Sequence, residues 1–465
     1  MTLPRPDASL EDVLAHADSG IDRSLERLFT LLAIPSISTD PDYGAHCQAA
    51  ADWLSGQLSE LGFDASVRPT TGHPMVVGHD RSATGPSVLF YGHYDVQPVD
   101  PLELWDTAPF TPTIGEEGGQ KVIRARGASD DKGQLMTFVE ACRAFKAVRG
   151  ALPIPVTILF EGEEEAGSAS LGPFLDQTAS ELTADVALVC DTDMWDRETP
   201  SIITMLRGMV GEEVEITAAS RDLHSGMYGG AARNPLQLLS EIVASLRNPD
   251  GSVAIEGFYD GVEDLPDAVA AQWQRLPFDE SEFLGDVGLS APAGEKDRSV
   301  LQQIAARPTC EINGMWGGYT GQGFKTVIPA RASAKISFRL VGDQDPARVR
   351  EAFRSHVRAR LPEDCTVTFK SHGGSPATSI PSDSEFLTRA LGALTDEWGR
   401  EAAIAGSGGS IPIVGDFKRK LGMESLLIGF AQTGDRIHSP NEKYDLASYH
   451  RGIRSWIRIL DALSA

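Results

Sequence analysis

Two short runs, Gly92-His93-Tyr94-Asp95-Val96-Gln97-Pro98 and Ser129-Asp130-Asp131-Lys132-Gly133, set imidazole and carboxylate donors close together. The first follows an apolar run and the second precedes a stretch with helical spacing, so both can project side chains into a cleft. A third run, Glu161-Gly162-Glu163-Glu164-Glu165, follows another apolar segment and crowds several like charges. Crowded carboxylates repel, and each raises its pKa unless a cation stands among them. Histidines with several carboxylates suit divalent metal, most simply a pair of ions. Two such ions about 3.5 to 4 Å apart can polarise a carbonyl while presenting hydroxide. The pattern points to metal-assisted hydrolysis.

Asp130 is placed to bridge such a pair. His93 and His438 are the natural imidazole donors; His438 lies in Ile437-His438-Ser439-Pro440-Asn441-Glu442, an irregular loop before the last helix. One of Glu164 and Glu165 can ligate while the other takes a proton from water. Asp191 is preferred over Asp193 as the donor following a third apolar run, and Glu161 and Glu163 are read as members of an acidic loop. His16, His46, His73, His79, His356, His372 and His450 have no comparable neighbours and are read as structural or exposed.

The elements that must carry these residues are legible as hydrophobic runs. Val88-Leu89-Phe90-Tyr91, Val156-Thr157-Ile158-Leu159-Phe160 and Val186-Ala187-Leu188-Val189-Cys190 suit strands buried on both faces of a parallel sheet. Donors follow each run at once, and ligands in open α/β sheets bind beyond the carboxyl ends of the strands. From Lys132 to Val148, Leu135, Phe138, Val139, Cys142 and Phe145 line one helical face. After about Leu206 the pattern changes. Val214 and Ile216 alternate with Glu213 and Glu215, Asn234-Pro235 opens a helix, and residues 334–340 alternate again. A helix near Pro346 to Leu361 and a strand from Thr366 to Lys370 complete a small α+β domain. The α/β character returns near Ser384, and Asp445 caps a final helix. The expected fold class is α/β: a discontinuous, mainly parallel-sheet metallohydrolase domain, 1–206 and 384–465, with an α+β domain, 207–383, inserted into it.

With 41 basic and 66 acidic residues the net charge is −25, which argues against nucleic acid or an anionic membrane as partner. No run approaches the roughly 18 to 20 apolar residues of a membrane span, and the N-terminus shows no signal pattern. Five scattered cysteines without a C-x-x-C pair fit a reducing compartment. A cytoplasmic protein is expected.

The ordered motifs also carry a family resemblance. The chain resembles the M20 metallopeptidases, most closely the branch of carnosine and Cys-Gly dipeptidases. Besides the runs above, the resemblance rests on Arg126-Gly127-Ala128, Ala166-Gly167-Ser168, Asp222-Leu223-His224-Ser225-Gly226, Lys325-Thr326-Val327-Ile328-Pro329, Gly408-Gly409-Ser410-Ile411-Pro412 and His438-Ser439-Pro440-Asn441-Glu442. They run in family order from 92 to 442. The resemblance implies His93 and Asp191 on one metal, Glu165 and His438 on the other, and Asp130 between them. It further implies that Asp95 orients His93 and that Glu164 is the general base to a metal-bridging hydroxide. The inserted domain would be a lid and dimerisation domain of a homodimer, with His224 reaching the oxyanion from the partner subunit. Arg339, Thr326 and Ser410 would hold the terminal carboxylate of a small peptide substrate. Two divalent ions per subunit are implied, zinc foremost, with manganese and cobalt also compatible.

The expected activity is hydrolysis of dipeptides or short peptides with a free C-terminal carboxylate. An N-acyl-amino-acid deacylase of the same family is the alternative. Three positions depart from the dipeptidase pattern. Glu163 stands where many relatives have an apolar residue, Ser407 where relatives often carry an acid, and the sequence after Asp191 differs.

Overall fold

The structure, a computed structural model, describes residues 4–408 and 412–464. It divides into two compact units. The first comprises Met1–Thr204, Ile380–Ala405 and Asp416–Ala465, and the second Met205–Ser379 with Gly406–Gly415. Gly406, Ser407 and Gly408 thus cluster with the second unit, although the sequence pattern assigns them to the first domain. Arg207 holds this segment, donating its backbone N–H to the Ser407 carbonyl at 3.4 Å and its Nε to the Gly408 carbonyl at 3.3 Å, and the glycines allow close approach. A Cβ on Gly406 would lie 3.0 Å from that of Ala305, and one on Gly408 would lie 2.7 Å from Arg207 Nη2.

A nine-stranded mixed sheet organises the first unit. Its centre is four parallel strands in the order Val156–Glu161, Val88–His93, Val186–Val189 and Glu424–Leu427. Met75–Asp80 pairs antiparallel on one side, and Ser201–Leu206 on the other. Every residue of Val88–His93 and Val186–Val189 is buried, which is why these runs read as continuous apolar segments. The helix Lys132–Arg149 is buried around most of its circumference rather than on one face. It packs against the carboxy-terminal helix Leu446–Leu463 and the helix Leu10–Ser19, and Phe138 stacks on Phe90 at 3.8 Å between ring centroids. Asp445 occupies the N-cap of the last helix without capping it through its side chain. That carboxylate is instead drawn to Arg197 at 3.0 Å and Lys443 at 3.5 Å.

The second unit is a four-stranded antiparallel sheet in the order Thr309–Gly317, Arg331–Leu340, Gly208–Thr217 and Thr366–Ser375. The helices Pro235–Ala244 and Pro346–Arg358 cover it. Val210, Val214, Ile336, Phe338 and Phe353 form its core. Asn234 caps the first of these helices through Leu236 N, with Pro235 at the first turn. Thr309–Gly317 is a strand the sequence pattern does not announce, because a register shift between Ile312 and Gly314 breaks the period-two alternation.

Candidate metal centre

Adjacency of the three central parallel strands explains how donors far apart in sequence converge. His93 ends one strand, Glu161 ends its neighbour, and Asp191 stands two residues beyond Val189 of the third. Asp130 precedes the helix Lys132–Arg149, and its peptide bond to Asp131 is cis. Each carboxylate oxygen of Asp130 faces a different imidazole. Oδ1 lies 3.0 Å from His93 Nε2, and Oδ2 lies 2.8 Å from His438 Nε2. His93 Nε2 is 4.0 Å from Asp191 Oδ2, and His438 Nε2 is 3.3 Å from Glu165 Oε2. Two donor groups result, His93–Asp130–Asp191 and Asp130–Glu165–His438, each with ligand atoms within 4.8 Å of one another.

The electrostatics follow from burial and crowding. Burial pushes Asp191 up to about 8, and the neighbouring Asp130, Glu164 and Glu165 charges add to it while His93 opposes. Glu164 is likewise raised, by burial first and then by repulsion from Glu165 and Asp95, with His93 opposing. Burial acts against the charge of His93, yet hydrogen bonds to Asp130 and Asp95 hold its pKa well above the ordinary histidine value. His438 rises to about 10 through Asp130 and Glu165. Asp130 itself is lowered, since its two imidazole partners outweigh its burial. This donor set fits divalent cations: hard oxygens and imidazoles in two clusters, with repulsion among the carboxylates that a cation relieves.

Asp95, fully buried, does more than touch His93. Its backbone carbonyl lies 3.1 Å and its Oδ1 3.4 Å from His93 Nδ1. The same carboxylate accepts the backbone N–H of Glu164 at 3.2 Å and of Glu165 at 2.9 Å. Gln97 donates to Glu165 Oε2 at 2.7 Å, a contact with no signal in the sequence beyond its place in the first run. Glu161 and Glu163 lie outside both donor groups. Glu161 accepts the Tyr91 hydroxyl at 2.6 Å, and burial lifts it to about 7. Glu163 accepts Ser170 N at 3.0 Å and packs against Gly72, where a Cβ would meet its Oε1 at 2.0 Å. Asp193 is also outside, with burial raising it to about 6.

In the second unit, His224 and Thr326 are brought together by the short ladder of Leu223–His224 with Val327–Ile328. His224 is exposed, and its Nδ1 accepts Gly226 N at 3.0 Å. Arg339 lies on the less buried face of Arg331–Leu340, paired with Met209. Arg207 was not singled out by the sequence. Burial and the nearby positive charge of Arg339 push it down to about 10. Ser410 falls outside the described residues.

Residues 89–462 match the family described as Peptidase family M20/M25/M40. The chain belongs to that family. This M20 chain is 31% identical to the Cys-Gly metallodipeptidase DUG1 of Saccharomyces cerevisiae over 98% of each chain. It is 27% identical to the Beta-Ala-His dipeptidase of Homo sapiens over 97% of this chain and 92% of that one. Its fold resembles that of an M20 family metallo-carboxypeptidase, Sso-CP2 from Sulfolobus solfataricus, with a TM-score of 0.77 and 30% identity over 95% and 99% of the two chains. As a member of the family it is a metal-dependent peptidase. Among the described residues, no helix is long and apolar enough to cross a membrane.

Proposed function

We propose that this M20 peptidase is a dipeptidase that hydrolyses dipeptides or short peptides bearing a free C-terminal carboxylate, using two divalent ions per subunit, zinc foremost. The observation that carries the reading is the division of Asp130, one oxygen toward each donor group. His93, Asp130 and Asp191 would hold one ion, and Asp130, Glu165 and His438 the other. Bound there, divalent ions would polarise the scissile carbonyl and lower the pKa of water.

The chain's own residues supply the rest. Glu164, kept out of both donor groups and raised by burial, takes the proton from water and passes it to the leaving amine. Asp95 orients His93 and holds the Glu164–Glu165 backbone. In His224, Nδ1 accepts a backbone N–H, so the neutral ring carries its proton on Nε2. That tautomer can donate to an oxygen as negative charge develops, and His224 is assigned to do so in the partner subunit's site. Arg339, with Thr326 and Ser410, holds the terminal carboxylate. A homodimer through the second unit is supported by the edge strand Thr309–Gly317, where Ile312, Met315 and Trp316 are 40%, 39% and 43% exposed. Five buried free cysteines support a cytoplasmic setting.

The test is metal-stripped protein reloaded with zinc, manganese or cobalt, assayed on dipeptides, their C-terminal amides, longer peptides and N-acyl amino acids. Metal-dependent cleavage of dipeptides, sharply reduced by amidation, is expected. Turnover confined to N-acyl amino acids would replace this reading with deacylation. Turnover confined to longer peptides would replace it with carboxypeptidase activity.

A further inference from the structure

Glu442 lies four residues beyond His438, and none of its surface reaches solvent. Its Oε1 accepts the backbone N–H of Ser129 at 2.9 Å and of Asp130 at 3.1 Å. Its Oε2 accepts Gly127 N at 2.9 Å and Arg126 Nη1 at 2.7 Å. A carboxylate buried this deeply persists only when its lone pairs are filled by strong donors, and here four donors fill them. Arg126 is equally buried, donates to the Pro98 carbonyl at 3.0 Å and lies over the Trp105 ring. One side chain therefore fastens together the loop that carries His438, the turn that carries Asp130 and, through Arg126, the segment that follows His93.

The His438 loop needs such an anchor. Arg436, His438 and Asn441 have φ of 58°, 62° and 64°, in the left-handed region that residues other than glycine seldom occupy. A loop in that state holds its shape only where surrounding contacts enforce it. Asp435 adds a second tie to the same turn, accepting the Ser129 hydroxyl at 2.8 Å and Lys443 Nζ at 2.9 Å.

We infer that Glu442 is a positioning residue that fixes Asp130 between the two donor groups and sets its register against His438. The inference rests on the reading of Asp130 as a metal ligand. Glu442 acts through backbone N–H groups, touching neither metal nor substrate.

Glu442→Gln tests it with little change of shape. Its amide nitrogen must face at least one pair of the present donors, so the turn loses its fixed position. Groups that support metal ligands typically cost about 10- to 100-fold in metal affinity when altered. A loss in that range is expected when the metal-free variant competes for zinc with a chromophoric chelator. Glu397→Gln is the control for general destabilisation. Glu397 is also buried and holds Arg454 and Arg458, at 2.6 and 2.9 Å, but contacts no proposed ligand. It should lower the melting temperature and leave zinc affinity native. Native zinc affinity and stoichiometry in Glu442→Gln would overturn the inference. If that variant does not fold, Glu442→Asp withdraws the carboxylate by one methylene and should lose at least about fivefold in affinity; an unchanged affinity there would overturn the inference as well. Asp130→Ala separates the two levels. Its failure to lose zinc would bring down the metal reading and this inference with it. Loss of zinc in Asp130→Ala, with native affinity in Glu442→Gln, would bring down the inference alone.

Discussion

Asp95→Asn isolates the coupling between the first donor run and the third. The wild-type carboxylate accepts Glu164 N on Oδ1 and Glu165 N on Oδ2. An asparagine of the same shape offers one oxygen and one NH2 group, so one of those N–H groups must face another donor. Losing a hydrogen bond to a charged acceptor costs about 1.5–3 kcal/mol, and the stranded N–H adds to that. A destabilisation of about 2–3 kcal/mol follows, or roughly 3–5 °C in melting temperature for a unit of this size. The effect on the two donor groups should be unequal. His93 keeps the Asp95 backbone carbonyl at 3.1 Å, which the substitution leaves in place. Oδ1 of Asp95 also faces His93 Nδ1 at 3.4 Å, so the asparagine keeps its oxygen there and turns its NH2 group toward Glu165 N. Metal titration of Asp95→Asn should therefore weaken the Asp130–Glu165–His438 ion more than the His93–Asp130–Asp191 ion, with kcat falling about 10- to 100-fold. Spectroscopic titration with cobalt, alongside chemical denaturation, reads both quantities. Stability within about 0.5 kcal/mol of native, the range of neutral surface changes, together with two unaltered metal affinities, would refute the reasoning.

Glu164→Gln should keep its metals and lose about 10²- to 10⁴-fold in kcat, whereas Glu165→Gln should lose an ion; the reverse pattern in metal analysis would exchange the two roles. Asp80 is buried and paired with Lys146 and Ser82, and these partners outweigh its burial to hold its pKa below the usual aspartate value of about 3.9. A lowered folded pKa means its contribution is complete above that value and lost as pH falls through the folded pKa. Denaturation of Asp80→Asn should thus show a loss of about 2 kcal/mol at pH 7 that shrinks as pH falls through the folded pKa of Asp80; a loss that persists undiminished in acid would show that the charge is not responsible. His224→Ala should lower kcat, and Arg339→Ala should raise KM for free-carboxylate peptides more than for their amides. In a mixed dimer of the two variants, activity should partly return if each site takes His224 from the partner subunit and Arg339 from its own chain; no return in a verified mixed dimer would remove the shared site.

The parallel centre of the sheet was legible because burial on both faces leaves nothing but apolar residues between the donors that end each strand. Val88–His93 and Val186–Val189 show this at every position. The antiparallel neighbours were less visible. Met75–Asp80 is buried throughout yet carries Gly78, His79 and Asp80, which break an apolar reading. His79 is satisfied there by Thr157 at 3.1 Å and Glu181 at 3.0 Å, partners 78 and 102 residues away that no local pattern announces. The helix Lys132–Arg149 illustrates the opposite limit. Its apolar face was evident, but Gln134, Thr137 and Glu140 are buried as well. Each is satisfied by a distant group: Phe430 N, Trp456 Nε1 and Arg27 respectively.

The same limit governs the donor groups. Residue type and placement (after a strand, before a helix or in the loop before the last helix) were enough to single out His93, Asp130, Asp191 and His438 as candidates and to leave Glu164 and Glu165 as alternatives, between which the family resemblance chose. They could not say what any carboxylate of the run 161–165 would face. In a stretch of four glutamates and one glycine, the side chains that turn toward the metal centre and those that turn away are chemically identical. Tyr91 takes up Glu161, and Ser170 with the glycine at position 72 makes room for Glu163. Asp95 then fixes the turn that separates Glu164 from Glu165. The extra acid at 163, which the sequence alone would let disturb Glu164, is therefore bound elsewhere through its own hydrogen bond. Supporting contacts such as those of Gln97 and Glu442, and the hold of Asp95 on the Glu164–Glu165 backbone, run through backbone N–H groups or a single side-chain contact across tens to hundreds of residues, so they show only in three dimensions. Residue chemistry nominates the donors of a metal centre, while the tertiary hydrogen bonds decide which of them face one another.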